Sequence, residues 1–170
     1  MRLEAWSIVV MAAACGGPVS APAPVEIILR DGTGNDVGQV RLRERDGRVQ
    51  VYVRVTGMAE GEHGIHLHAV GRCDGPDFQT AGGHLNPTGM QHGHLNPQGP
   101  HFGDLGNIRV GADGRGEKTI DLLGGEARAG IGALLGTAGI ALVVHAGRDD
   151  ERTDPAGNSG ARIACAAILP

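Results

Sequence analysis

Aromatic side chains are almost missing from this chain of 170 residues, which has two Phe, one Tyr and one Trp. Its core must therefore be built from aliphatic residues, and a chain of this length still buries a workable one as a single domain. Positive charge is not in excess either. The formal net charge is −4, which argues against a broad basic surface for nucleic acid. An acidic protein can still draw an anion to one cleft where positive groups are focused. What the chain has in quantity is turn-forming residues: 30 Gly and 9 Pro. They leave little room for helix and divide the sequence into short runs rich in Val, Ile and Thr, the pattern of an all-β domain.

The first fourteen residues, MRLEAWSIVVMAAA, have the form of an export signal. Arg2 gives a thin positive start, and the mostly apolar stretch from Ala5 to Ala14 is too short for a membrane-spanning helix. Cys15 follows Ala12, Ala13 and Ala14 and precedes GGPVSAPAP. This resembles a bacterial lipoprotein signal, cleaved before a lipidated cysteine, with Ala12 where a leucine is usual. The alternative is an ordinary cleaved signal with an unmodified Cys15. Residues 15–24 then form a Gly/Pro/Ala tether in either case, and the folded domain spans 25–170. Export to the periplasm or cell envelope favours a disulfide between the two remaining cysteines, Cys73 and Cys165; two free buried thiols are the alternative.

Strand candidates follow in order. They are 25–30, then 37–45 and 48–55 joined by the hairpin signal Asp46-Gly47, then 64–70. After these come 107–112 and 116–122, read as a second hairpin through Asp113-Gly114, and finally 139–146 and 161–169. Residues 71–106 show no periodicity, and loops of that length in compact domains are usually functional. Residues 123–138 are broken by Gly124, Gly125, Gly130, Gly132 and Gly136, which argues against a stable helix there.

Seven of the eight histidines lie within or one residue outside 64–107. His66 and His68 are two apart on a strand candidate, so both project from one face and can reach one metal. His145 ends an apolar strand and can complete the same centre if the two strands are neighbours; read alone, it is a core histidine. His84, His92, His101 and Asp104 lie in the long loop. Three imidazoles and a carboxylate make a tetrahedral set for zinc, and the alternative is a solvated polar loop.

Together the segments GIHLH (64–68), AGGHLNP (81–87), HFGDLGN (101–107), VVH (143–145) and GNSGARIAC (157–165) resemble the exported bacterial copper–zinc superoxide dismutases. They occur in that family's order, from Val25 to the chain end. The resemblance implies an eight-stranded Greek-key β-sandwich or flattened barrel with long metal-binding and active-site loops. It implies one copper and one zinc per subunit. Copper would be held by His66, His68, His84 and His145, and zinc by His84, His92, His101 and Asp104, with His84 shared. Cys73 and Cys165 match the family's disulfide. Asp149 matches the carboxylate that links a copper-side to a zinc-side histidine and fixes ring tautomers. The implied reaction is dismutation of superoxide to dioxygen and hydrogen peroxide by alternating Cu(II)/Cu(I), with zinc structural. His84 would take part in catalysis and Arg162 would guide the anion. Charge steering is a known property of that family rather than a reading of these residues.

Some residues fall outside the pattern. Ile65 stands where the family commonly has an aromatic. The segment between His145 and Arg162 is short and of mixed charge, so Arg148 or Arg152 could share the guiding role. His63 reads as an exposed turn residue, and the resemblance, through the family's spacing from His84, favours His92 over His94 for zinc. Met58 and Met90 are read as packing or surface residues. Superoxide is the expected partner, with membrane attachment only through a lipidated Cys15. A homodimer is compatible with the resemblance, and no patch in the sequence marks its interface. Two other classes compete: a copper-handling module without turnover, and a structural β-sandwich with zinc alone. The first should have lost ligands or the arginine, and the second leaves His66, His68 and His145 unexplained.

Overall fold

The computed structural model describes residues 24–170. The expected export signal, Cys15 and most of the 15–24 tether lie outside the described residues. The described residues form eight strands: β1 (Val25–Asp31), β2 (Asp36–Arg45), β3 (Arg48–Val55), β4 (Gly61–His68), β5 (Asp104–Val110), β6 (Gly116–Leu122), β7 (Ile140–His145) and β8 (Arg162–Ile168). All pair antiparallel, in the order β5-β4-β7-β8-β1-β2-β3-β6. Among the described residues, strand pairing joins the two halves through Arg30↔Cys165 and Asp31↔Ala164 of β1 and β8. There the sheet bends back on itself into a flattened, nearly closed barrel. The long connections from β3 to β4 and from β6 to β7 cross between the halves, which is the Greek-key arrangement.

Period-two alternation explains the first half. Val49, Val51, Val53 and Val55 of β3 are fully buried with Val40 and Leu42 of β2, while Tyr52 and Arg54 face outward. Each buried valine contributes roughly 1.5–3 kcal/mol relative to exposure. The β2–β3 turn has positive φ at both Asp46 (52°) and Gly47 (69°), as a two-residue hairpin of this hand requires.

β7 is buried at every position. Leu142 and Val144 point into the barrel. Ala141 and Val143 pack on the other side under Phe78, Ala81 and Cys165. The outer cover is the loop after β4, fastened to β8 by the Cys73–Cys165 disulfide, which closes a sequence separation of 92. The covered outer face of β4 and β7 is where the histidines stand.

Three expectations are corrected. Residues 107–122 form a turn, with Gly111 N–H donating to Arg115 O at 2.9 Å, but not a continuing hairpin. β5 pairs with β4 and β6 with β3, because they are the two ends of the strand order and belong to opposite halves. Residues 123–138 contain a 3-10 turn at Gly125–Ala129 and a one-turn helix, α1 (Ile131–Leu135). Burial of Ile131, Leu134 and Leu135 against the barrel core overrides the glycine penalty. Glu44 Oε1 accepts the Ile131 N–H at 2.6 Å, satisfying one of the free donors of the helix start. β4 begins at Gly61 rather than residue 64, so His63 is a strand residue and only 3% exposed. The pattern misleads here because a polar side chain is taken inward and paired with backbone carbonyls.

Candidate metal centre

β4 and β7 are neighbours, in the register His66↔Val143 and His68↔Ala141, so the side chains of His66, His68 and His145 stand close together. The loop after β4 folds back to place His84 opposite His68. Ring nitrogens of His66, His68, His84 and His145 all lie within 4.8 Å of one another. A second group of His66, His84, His92 and Asp104 meets the same limit. His101 joins it from the side, with Nδ1 at 3.3 Å from both His84 Nδ1 and Asp104 Oδ1. His66 and His84 belong to both groups.

Each ring is oriented by what its other nitrogen does. His66 Nε2 donates to Asp149 Oδ2 at 2.8 Å. His68 Nδ1 donates to Gly82 O at 2.9 Å, and His145 Nδ1 to Gly160 O at 3.0 Å. The nitrogens left over, His66 Nδ1, His68 Nε2, His145 Nε2 and His84 Nε2, are buried and have no hydrogen-bond partner. Unpaired buried polar atoms are costly and call for an explanation. Four imidazole lone pairs turned toward one point are a donor set that suits copper.

On the other side of His84, its Nδ1 lies 2.9 Å from Asp104 Oδ1 and His92 Nδ1 lies 3.0 Å from the same oxygen. His92 Nδ1 is close but not aligned for donation, and it too lacks a hydrogen-bond partner. Its Nε2 is 3.0 Å from Asp149 Oδ1. Three imidazoles converging on one carboxylate suit zinc.

Electrostatics follow from burial. Desolvation pushes His66 down to about 3, against its Asp149 hydrogen bond. It pushes His68 down to about 2 and His145 to about 4, and lowers His84 as well. These rings are neutral at physiological pH, as metal ligands must be. Burial also pulls on His92, but the Asp104 and Asp149 carboxylates outweigh it and hold this ring up at about 9. For Asp104, burial is overcome by the His84 hydrogen bond, the adjacent His92 ring and the Gly93 N–H, and for Asp149 by donors from His66 and His92, so both sit well below the usual carboxylate range.

Asp149 thus touches both clusters. Its backbone N–H donates to Asn107 Oδ1 at 2.7 Å and its carbonyl accepts from Asn107 Nδ2 at 2.9 Å. Gly157, at φ +62°, closes over it. A Cβ there would overlap Asp149 Oδ1 and lie 2.7 Å from His92 Nε2.

Arg162 stands opposite His145 in the β7–β8 register. Its guanidinium donates to Phe78 O at 2.8 Å and Gly82 O at 2.7 Å, so a fixed positive group borders the group of His66, His68, His84 and His145. Arg148 is engaged by Glu62 at 2.8 Å, and Arg152 reaches toward Leu95 O. His94 is about half exposed, near Glu151, whereas His92 is fully buried. Met58 packs against the core and Met90 is exposed.

Sequence reasoning missed His63, whose Nδ1 and Nε2 lie 2.8 Å from His145 O and 3.0 Å from Ala59 O. It thereby ties β4 to the backbone of His145. It also missed Asn107 and the carbonyls of Gly82 and Gly160. Asn107 lies inside HFGDLGN, so a signal for it was present; the carbonyls leave none in side-chain chemistry.

Fold and site together define a β-barrel with two adjoining ligand groups, each able to hold a metal ion, that have His66 and His84 in common. The chain belongs to the copper/zinc superoxide dismutase family, whose sequence profile (SODC) matches residues 37–168. It is 37% identical over 144 residues to a copper–zinc superoxide dismutase of Caulobacter vibrioides, covering 83% of each chain. Among solved structures it resembles a superoxide dismutase-like protein from Bacillus subtilis, with TM-score 0.76 and 35% identity over 85% of this chain and 97% of that one. It also resembles the Cu/Zn superoxide dismutase of Brucella abortus, with TM-score 0.67 and 30% identity over 86% and 99%. Copper and zinc are the cofactors of the family.

Proposed function

We propose that this chain converts superoxide to dioxygen and hydrogen peroxide, with copper held by His66, His68, His84 and His145 and zinc by His84, His92, His101 and Asp104. The observation that carries this reading is the set of four buried, unpartnered imidazole nitrogens beside a fixed arginine. When bound, copper supplies one-electron chemistry in both directions, and zinc supplies charge without redox activity.

The protein's own residues do the rest. Asp149, Gly82 O and Gly160 O hold the protons of His66, His68 and His145 away from the copper side, so each ring presents a lone pair. His84 has Nδ1 toward the zinc-side cluster and Nε2 toward the copper-side cluster. When its Nε2 is free it can take up one proton and pass it to the reduced product, and solvent supplies the second that hydrogen peroxide needs. Arg162, clamped by two carbonyls, adds positive charge where a net charge of −4 otherwise repels the substrate. Its register position beside His145 places that charge at the cluster rather than on the distant surface. The Cys73–Cys165 disulfide fits export to the periplasm or envelope. An export signal at 1–14, a tether at 15–24 with Cys15 as a lipid attachment point, and one domain from Val25 belong to the same proposal.

Metal stoichiometry tests the ligand assignment. The parent chain should take up one copper and one zinc. His145→Ala should lose copper and keep zinc, and retention of copper would remove His145 from the site. Copper uptake and transfer without superoxide consumption would instead make the chain a copper-handling module.

A further inference from the structure

The chain contains a single lysine, Lys118, against 14 arginines, and that lysine is half-buried, with its ammonium turned onto backbone rather than extended into solvent. It lies in the middle of β6 on the same side as Ile120 and Leu122, while Glu117, Thr119 and Asp121 point outward. Its ammonium crosses the seam where the barrel is not closed by a ladder, between the terminal strands β5 and β6. Lys118 Nζ donates to Leu105 O at 2.7 Å and Asn107 O at 2.9 Å. These carbonyls flank Gly106, where an added Cβ would lie 3.3 Å from Lys118 Nζ and 3.6 Å from Glu151 Oε1. The lysine is therefore packed against backbone with a carboxylate of the 146–161 loop nearby.

The two carbonyls belong to the residue after Asp104 and to Asn107. Asn107 holds the Asp149 backbone at 2.7 and 2.9 Å. Asp149 in turn accepts from His66 Nε2 at 2.8 Å and His92 Nε2 at 3.0 Å. We propose that Lys118 is a positioning residue for the metal centre: by pinning β5 at Leu105 and Asn107, its ammonium fixes Asp149 and, through it, the rings of His92 and His66. This rests on the ligand assignment proposed above and deepens it. It adds a long-range positioning contact from a strand that contributes no ligand. A shift of Asn107 would move Asp149, and Asp149 decides which nitrogen of each ring carries the proton. Outer contacts of this kind commonly change metal affinity about 10- to 100-fold.

The test is zinc release from the copper- and zinc-loaded chain into a competing chelator, with the Cu(II) electron paramagnetic resonance spectrum as a second readout. Lys118→Met keeps length and removes the donors. It should speed zinc release about tenfold or more and alter the Cu(II) spectrum. In an Asn107→Ala background the same change should have almost no further effect, because the path is already cut. Unchanged zinc release in Lys118→Met, or effects of the two substitutions that simply multiply, would overturn the inference. Should Lys118→Met not fold, Lys118→Gln replaces it. Its shorter side chain cannot reach both carbonyls, and parent-like zinc release there would overturn the inference equally. A parent chain that binds no zinc would instead refute the ligand assignment itself, so the two failures are distinct.

Discussion

Replacing Asp149 by Asn probes how one carboxylate sets two rings. The native side chain accepts from His66 Nε2 and His92 Nε2 and from the Glu151 N–H at 2.6 Å. An amide has one accepting oxygen and one donating nitrogen, so one imidazole must give up its partner or move its proton to the other nitrogen. The two rings are not equal in this. A proton moved to His92 Nδ1 lies 3.0 Å from the charged Asp104 Oδ1, which stabilises it electrostatically even without hydrogen-bond alignment. A proton moved to His66 Nδ1 would instead stand among the ring nitrogens of the copper-side group, farther from any carboxylate pairing and with no hydrogen-bond partner. His92 should therefore yield, and its proton then occupies the zinc-facing nitrogen. The expected loss is about 10- to 100-fold in zinc affinity, or roughly 1.4–2.7 kcal/mol, with copper affinity much less affected. Zinc and copper competition titrations on the variant read this directly. Copper lost with zinc retained, or both affinities within twofold of the parent, would refute the reasoning.

Arg162→Ala should keep both metals, lose roughly tenfold in rate and lose most of its salt dependence, in a family already known for charge steering. Stopped-flow rates across a salt series check this, and equal loss of metal would make Arg162 structural. Metal-free protein should weaken in acid. His66, His68 and His145 have folded values below the ordinary 6.5, at about 3, 2 and 4. The unfolded chain then binds more protons, and stability present above 6.5 is lost as pH falls toward those values. The expected slope is on the order of 4 kcal/mol per pH unit while all three differ, read by urea denaturation at a series of pH values. His92 runs the other way, and its contribution is lost as pH rises through about 9. Cys73→Ser with Cys165→Ser opens a closure of 92 residues, and the chain-entropy account gives a loss of roughly 4–5 kcal/mol. Denaturation of the metal-loaded double variant measures it, and a loss under about 1 kcal/mol would contradict that account.

Strands were legible in this sequence where one face is buried and the other wet. β3 and β6 match their read boundaries, 48–55 and 116–122, and Asp46-Gly47 marks its turn. Pairing was less legible. Residues 107–112 and 116–122 look like a hairpin locally, and only the closure of the barrel sends them to different neighbours. α1 escaped notice because its stability comes from contact with the barrel and from Glu44, 87 residues away in sequence. In the site, the histidine spacings brought forward the residues the structure gathers. The failure was His63, since a buried imidazole satisfied by the carbonyls of Ala59 and His145 looks in sequence like any polar residue near a turn. Lys118 escaped for a similar reason, because its partners are carbonyls of a strand it does not pair with.

The central claim is turnover of superoxide, and its most direct test is the decay of superoxide in the presence of the chain loaded with copper and zinc. The account predicts a fast decay that vanishes when copper is removed and returns when copper is restored. Stoichiometric copper with no acceleration of decay would contradict it.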